Sequence, residues 1–129
     1  MSMGVITLTT DFGLDDPYVG IMKGVILTIN PKATVVDVSH AIEPQNTHQA
    51  AFILGTAYPY FPQGTIHVVV VDPGVGSERR AVILKTATAY FIAPDNGVLS
   101  YVLFPNSYQA GELDLGIKER RLSPGLEAV

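Results

Sequence analysis

The 129-residue chain contains no cysteine and no tryptophan. Disulfides, thiolate catalysis and Cys-ligated zinc are therefore excluded within this sequence. Charge is also sparse, with 8 Lys+Arg against 12 Asp+Glu and a formal net charge of −4. The only basic clusters are Arg79-Arg80 and the stretch Lys118 to Arg121, and neither is interleaved with aromatics. An electrostatic footprint for nucleic acid is missing, so no nucleic-acid partner is expected. Apolar runs such as Val68 to Val71 fall far short of the ~20 residues that span a bilayer. The N-terminus lacks the charged and apolar regions of a signal peptide. No membrane association is expected, and the location expected is cytoplasmic.

What is present is apolar. Hydrophobic residues make up 47% of the chain and charged residues 16%, a balance expected of strands covered on both faces. Val5 to Thr10 is rich in β-branched residues and reads as a strand that breaks at Asp11-Phe12-Gly13. Asp16-Pro17 resembles a helix start, with Asp as N-cap. Ile21, Met22, Val25, Ile26 and Ile29 then recur at helical spacing and predict one apolar face, ended by Asn30-Pro31. Thr34 to Val38 reads as the next strand. Thr47 opens a second helical pattern, with Ala50, Ala51, Ile53, Leu54, Ala57 and Tyr58 on its apolar side. Ile66 to Val71 is a near-continuous apolar strand of the kind buried inside a parallel sheet. Ala81 to Leu84 and Tyr90 to Ala93 read as two short strands, and Val98 to Leu103 as a possible helix start. The alternation implies an α/β fold: a three-layer α/β sandwich around a central, mostly parallel sheet. We assign residues 1–105 to this domain and 106–129 to a divergent or truncated C-terminal segment without clear patterning.

Ligands of open α/β sheets bind beyond the carboxyl ends of the strands. Three strands end in polar positions there: Asp11, Asp37-Val38-Ser39-His40, and Asp72. Glycines follow closely at Gly13, Gly74 and Gly76, where backbone can approach a ligand. Each aspartate taken alone serves equally well as a turn residue. His40, His48 and His67 show no metal-ligand spacing, and His67 within a strand reads as a packed side chain. Asp11, Asp15, Asp16 and Asp72 would offer oxygen ligands suited to magnesium, which leaves a magnesium-dependent phosphohydrolase open at this point.

The stretches Ile6 to Gly13 (ITLTTDFG), Asp16 to Gly24 (DPYVGIMKG), Val36 to His40 (VDVSH), Phe61 to His67 (FPQGTIH), Val71 to Arg80 (VDPGVGSERR) and Pro94 to Leu99 (PDNGVL) carry more. Together and in this order they resemble the S-adenosyl-L-methionine (SAM) hydrolase, adenosine-forming, family, related to the SAM-dependent fluorinating and chlorinating enzymes. The resemblance implies hydrolysis of SAM to adenosine and L-methionine by water attack at C5′. It implies catalytic roles for Asp72 and Arg79, which match two members of the family's Asp-Arg-His set. It implies that Asp11 holds the ribose hydroxyls, with Asp16, Gln45, Asn46, Val75 and Asn96 as further substrate contacts. No cofactor and no metal are expected; the partner is SAM or adenosine.

The family's third catalytic member, a His in a TFHGRD-like motif, is not found in this sequence. Nor is its C-terminal β-barrel domain, which supplies the adenine pocket across a trimer interface. The segment from Tyr108 onward shows none of the family's motifs. The expectation is thus an incomplete SAM hydrolase that forms a homo-oligomer, a trimer by resemblance. Two alternatives stand beside it: a non-catalytic nucleoside-binding or oligomerising remnant, and halogenase-like substitution on SAM. Halogenases carry residues such as Tyr and Thr at the Asp72 and Val75 positions, so the hydrolase is favoured.

Overall fold

A computed structural model describes residues 4–72, 81–104 and 118–121 of the chain. The strands are β1 (Val5–Thr10), β2 (Thr34–Ser39), β3 (Thr65–Val70), β4 (Ala81–Lys85), β5 (Ala89–Pro94) and β6 (Lys118–Arg121). The helices are α1 (Tyr18–Ile29), α2 (Thr47–Ala57), extended by a 3₁₀ turn at Tyr58–Tyr60, and the short α3 (Ser100–Leu103). All six strands join one sheet in the order β2-β1-β3-β5-β4-β6. The pairs β1–β2, β1–β3 and β3–β5 are parallel, whereas β4 is antiparallel to both of its neighbours. This is the expected α/β architecture with a mostly parallel sheet.

The strand register assigns the two faces. Thr7, His67 and Phe91 are aligned across β1, β3 and β5, and Tyr58 from the α2 side packs edge-on against both His67 and Phe91. Leu8 is aligned with Asp37 and Val68, and Asp37 is bonded to Lys23 of α1. Helices α1 and α2 therefore cover opposite faces. The main core lies on the α2 side, where Leu54, Val69, Val71, Leu84, Phe91 and Val98 are buried together. A Cβ at Gly55 would stand 2.7 Å from the Tyr101 Cβ, so glycine is what lets α2 and α3 approach.

One expectation needs correction. Helix α1 begins at Tyr18 rather than Pro17, with Pro17 at the N-cap position; Asp16 Oδ1 still accepts a hydrogen bond from the Tyr18 N–H at 3.2 Å. The apolar stripe of α1 is also only partly covered. Val19 is its one buried residue, while Ile21, Val25 and Ile29 remain 56%, 54% and 65% exposed. Helical periodicity reports that a face is apolar, not that something lies over it. Among the described residues, no helix is long and apolar enough to cross a membrane.

The inner strand β1 is polar for its position, since Thr7, Thr9 and Thr10 are fully buried. Branching at Cβ suits a pleated strand, but each hydroxyl then needs a partner. Thr7 Oγ1 finds it in His67 Nδ1 at 2.7 Å, whereas Thr9 Oγ1 has no hydrogen-bond partner among the described residues. His67 is itself buried, stacked on Phe91 at 5.0 Å between centroids and met edge-on by Phe61. Its Nε2 has no hydrogen-bond partner among the described residues, and burial pushes its pKa down from 6.5 to about 4.

The unfolded chain then binds a proton between these two values that the folded chain does not. Stability contributed by neutral His67 is complete above the unfolded value and drains away as pH falls toward the folded one. At about 1.4 kcal/mol per pKa unit, the loss between neutrality and about pH 5 is roughly 2 kcal/mol. His67→Phe removes the titration. Urea unfolding at the two pH values should show the acid-induced loss shrinking by that amount; an unchanged loss would place the titrating group elsewhere.

Candidate functional site

The sheet order fixes where a ligand can enter. From β1 the chain moves through α1 to β2 on one side, then returns through α2 to β3 on the other side of β1. Right-handed crossovers in opposite directions leave helices on opposite faces, and a crevice opens where the order reverses. That point lies between the carboxyl ends of β1 and β3. Asp11 follows the last residue of β1, and Asp72 stands two residues after the last of β3, half-buried. These two carboxylates share one rim of the sheet.

The loop after β1 is held at several points. Asp11 Oδ2 accepts a 2.7 Å hydrogen bond from the Gln45 N–H. Phe12 N–H donates to Thr10 Oγ1 at 3.2 Å, and Gly13 N–H donates to the His40 carbonyl at 2.8 Å. Gly13 has φ of +69°, a conformation glycine adopts without steric cost. Gln45 has φ of +63° and is the only non-glycine residue so placed among the described residues. Such outliers cost free energy and persist where surrounding structure over-determines them.

The other expected contacts fall into distinct positions. Asn46 caps α2, its Oδ1 accepting from Gln49 N–H at 2.9 Å; its side chain is engaged in the helix start. Asn96 Nδ2 donates to the Val71 carbonyl at 2.8 Å, and its Oδ1 accepts from Val98 N–H at 3.2 Å. Asn96 thus ties the turn after β5 to the residue immediately before Asp72. Asp16 is exposed at the entry of α1. Val75 and Arg79 lie outside the described residues. No three His, Asp or Glu side chains among the described residues are grouped to hold a metal ion, so Asp11, Asp15, Asp16 and Asp72 do not form the magnesium cluster that the sequence left open.

One constellation joins the strand-end residues Asp37 and His40 to partners that the sequence does not indicate. Lys23 Nζ donates to Asp37 Oδ2, His40 Nε2 pairs with Asp37 Oδ1, and His40 Nδ1 pairs with Thr10 Oγ1, each at 2.7 Å. Burial alone would raise the Asp37 carboxyl, but the hydrogen bonds and charges of Lys23 and His40 hold it below the usual carboxylate range. His40 is buried, whereas Asp37 and Lys23 are partly exposed. The only sequence signal is the Asp-x-x-His spacing at the end of β2; neither partner outside that segment can be read from it.

The comparisons with known proteins follow the same outline. The sequence profile of the SAM hydroxide adenosyltransferase N-terminal domain matches residues 6–124, so the segment from Tyr108, which shows no motif of its own, still falls largely inside the matched span. The (R)-S-adenosyl-L-methionine hydrolase of Methanocaldococcus jannaschii is 49% identical over 105 residues, covering 78% of this chain and 40% of the relative. The hydrolase of the same name from Thermus thermophilus is 44% identical, covering 80% of this chain and 41% of the relative. A fluorinase of Nocardia brasiliensis is 27% identical, covering 81% and 42%. The crystal structure of an uncharacterized conserved protein from Thermotoga maritima superposes with a TM-score of 0.81 at 41% identity, covering 92% of this chain and 43% of the other. The chain therefore spans about two fifths of the length of the curated relatives it matches.

The strain at Gln45 can be tested directly. Gln45→Gly should leave stability unchanged or raise it by up to about 1 kcal/mol, because glycine tolerates positive φ. Gln45→Val should lower it by at least about 1 kcal/mol, since a β-branched residue fits there worst. Urea midpoints of the two variants, if equal, would refute the left-handed conformation at this residue.

Proposed function

Given that the chain belongs to the SAM hydroxide adenosyltransferase N-terminal domain family, we propose that it carries the ribose-holding and water-positioning half of a site that hydrolyses SAM to adenosine and L-methionine. The observation that supports this reading is that Asp11 and Asp72 follow the adjacent strands β1 and β3 where the strand order reverses, with Asp11 anchored by Gln45. Among the described residues only Oδ2 of Asp11 takes a protein hydrogen bond. A carboxylate can accept about four hydrogen bonds, which leaves capacity for two ribose hydroxyls.

In this proposal the ribose hydroxyls sit on Asp11 and C5′ is turned toward Asp72. A sulfonium leaves readily, so the site's task is to align a partly desolvated water with the C–S bond. Asp72 accepts a hydrogen bond from that water, and Arg79 orients the carboxylate. As the water oxygen bonds to C5′, the C–S electron pair stays on sulfur and methionine departs as a neutral thioether. The water's second proton passes to an acceptor and on to solvent. Asp16, Gln45, Asn46, Val75 and Asn96 belong to the same proposal as contacts around the substrate, with Asn46 and Asn96 acting through the loops they fasten.

Since the chain spans about two fifths of its relatives' length, turnover is proposed for a site completed by further residues, and nucleoside binding without turnover is the second reading for this chain by itself. The exposed Ile21, Val25 and Ile29 of α1 support self-association; a trimer and a cytoplasmic location are part of the proposal.

Asp11→Asn keeps an oxygen for the Gln45 N–H but removes the charge. Calorimetric titration with adenosine should show affinity falling about 10- to 100-fold, the worth of charge-assisted hydrogen bonds. The unaltered chain should bind 2′-deoxyadenosine about tenfold more weakly than adenosine. Equal binding of both nucleosides would remove Asp11 from the ribose.

A further inference from the structure

The segment from His40 to Asn46, between β2 and α2, closes on the loop 11–13 from two ends. At its base the His40 carbonyl takes the Gly13 N–H, and at its tip the Gln45 N–H reaches Asp11 Oδ2. The His40 side chain adds a third hold, since its Nδ1 meets Thr10 Oγ1, the same atom that accepts from Phe12 N–H. Asp11 therefore sits between two residues whose polar groups are both tied, directly or through one hydroxyl, to His40.

Asp37 is held ionised, so His40 Nε2 must carry a proton and donate it. In the singly protonated imidazole Nδ1 is then the acceptor, and the Thr10 hydroxyl, already accepting from Phe12 N–H, has its own proton to give. Lys23 occupies the second Asp37 oxygen. Every member then has one role, and the imidazole cannot turn without breaking a bond at each end.

We infer that His40 is a positioning residue for Asp11: it sets the loop 11–13 through Thr10 Oγ1 and its own carbonyl. His40 itself touches no substrate. The consequence for affinity rests on the proposed role of Asp11 at the ribose; the positioning does not.

Two pairs of variants separate position from mere bulk. In His40→Asn the amide oxygen stands where Nδ1 stood and can still accept from Thr10, while the Asp37 contact is lost. His40→Gln does the reverse, reaching Asp37 and losing Thr10. Thr10→Ser keeps the hydroxyl, and Thr10→Val removes it at constant shape. Amide hydrogen exchange, followed by NMR in the ligand-free chain, should quicken by about tenfold or more at Phe12 and Gly13 in His40→Gln and Thr10→Val. Val68, Val69 and Val70 in β3 should be unaffected. His40→Asn and Thr10→Ser should stay within about threefold of the parent at all five amides. Adenosine affinity should divide the four variants in the same way, falling about tenfold in the first pair.

Unchanged exchange at Phe12 and Gly13 in Thr10→Val and His40→Gln would overturn the inference. So would equal losses in His40→Asn and His40→Gln. If exchange responds as expected but the parent chain binds no adenosine, the ribose reading falls and the positioning stands. One measurement needs no substitution: nitrogen shifts of the His40 ring in the parent chain should show the proton on Nε2 and none on Nδ1. A proton on Nδ1 would contradict the arrangement even if every variant failed to fold.

Discussion

The handedness of β-α-β crossovers constrains everything else in this molecule. A strand followed by a helix and a parallel strand turns right-handed almost without exception. Because β2 and β3 lie on opposite sides of β1, α1 and α2 must cover opposite faces and leave the carboxyl ends of β1 and β3 open between them. The crevice is a product of topology before any side chain is considered. What the sequence adds is a carboxylate at each of these two strand ends and the polar contacts that hold the connecting loops around them.

Those contacts are concentrated at one rim. Thr10, Asp11, Gly13, Asp37, His40 and Gln45 form bonds that tie the loop after β1 to the loop after β2, and Asn96 separately ties the turn after β5 to Val71 just past β3. Further back along the same strands lies a different use of the same residue types, where Thr7 and His67 pair beneath Tyr58 and Phe61. That histidine is uncharged at neutral pH and packs as an aromatic ring. Two buried Thr–His pairs on one strand therefore divide between packing and positioning, according to whether the second ring nitrogen meets a carboxylate or a hydrocarbon wall.

Much of the fold was legible because local and global preferences agree. Val5 to Thr10 combines β-branched residues with a sharp polar break, and β1 has these limits. The two aspartates could be assigned to a common rim because each follows an apolar strand in a β-α-β pattern. The strand Lys118–Arg121 was not legible, since Lys-Glu-Arg-Arg shows no alternation; it forms by adding to the open edge of β4, a long-range opportunity. The limit of α1 burial was hidden for a similar reason, as periodicity within one helix says nothing of its neighbours. The Lys23–Asp37–His40–Thr10 series depends on register between β1 and β2 and on where α1 lies. Gln45 gives no signal at all, because glutamine is not a residue that turns select for positive φ.

Where a nucleoside comes to rest decides the role proposed for Asp11 and Asp72. A crystal structure of the chain soaked with adenosine should show both ribose hydroxyls on the Asp11 carboxylate and C5′ directed at Asp72, within the crevice between β1 and β3. A nucleoside bound on another face, or in the crevice with C5′ turned away from Asp72, would contradict it.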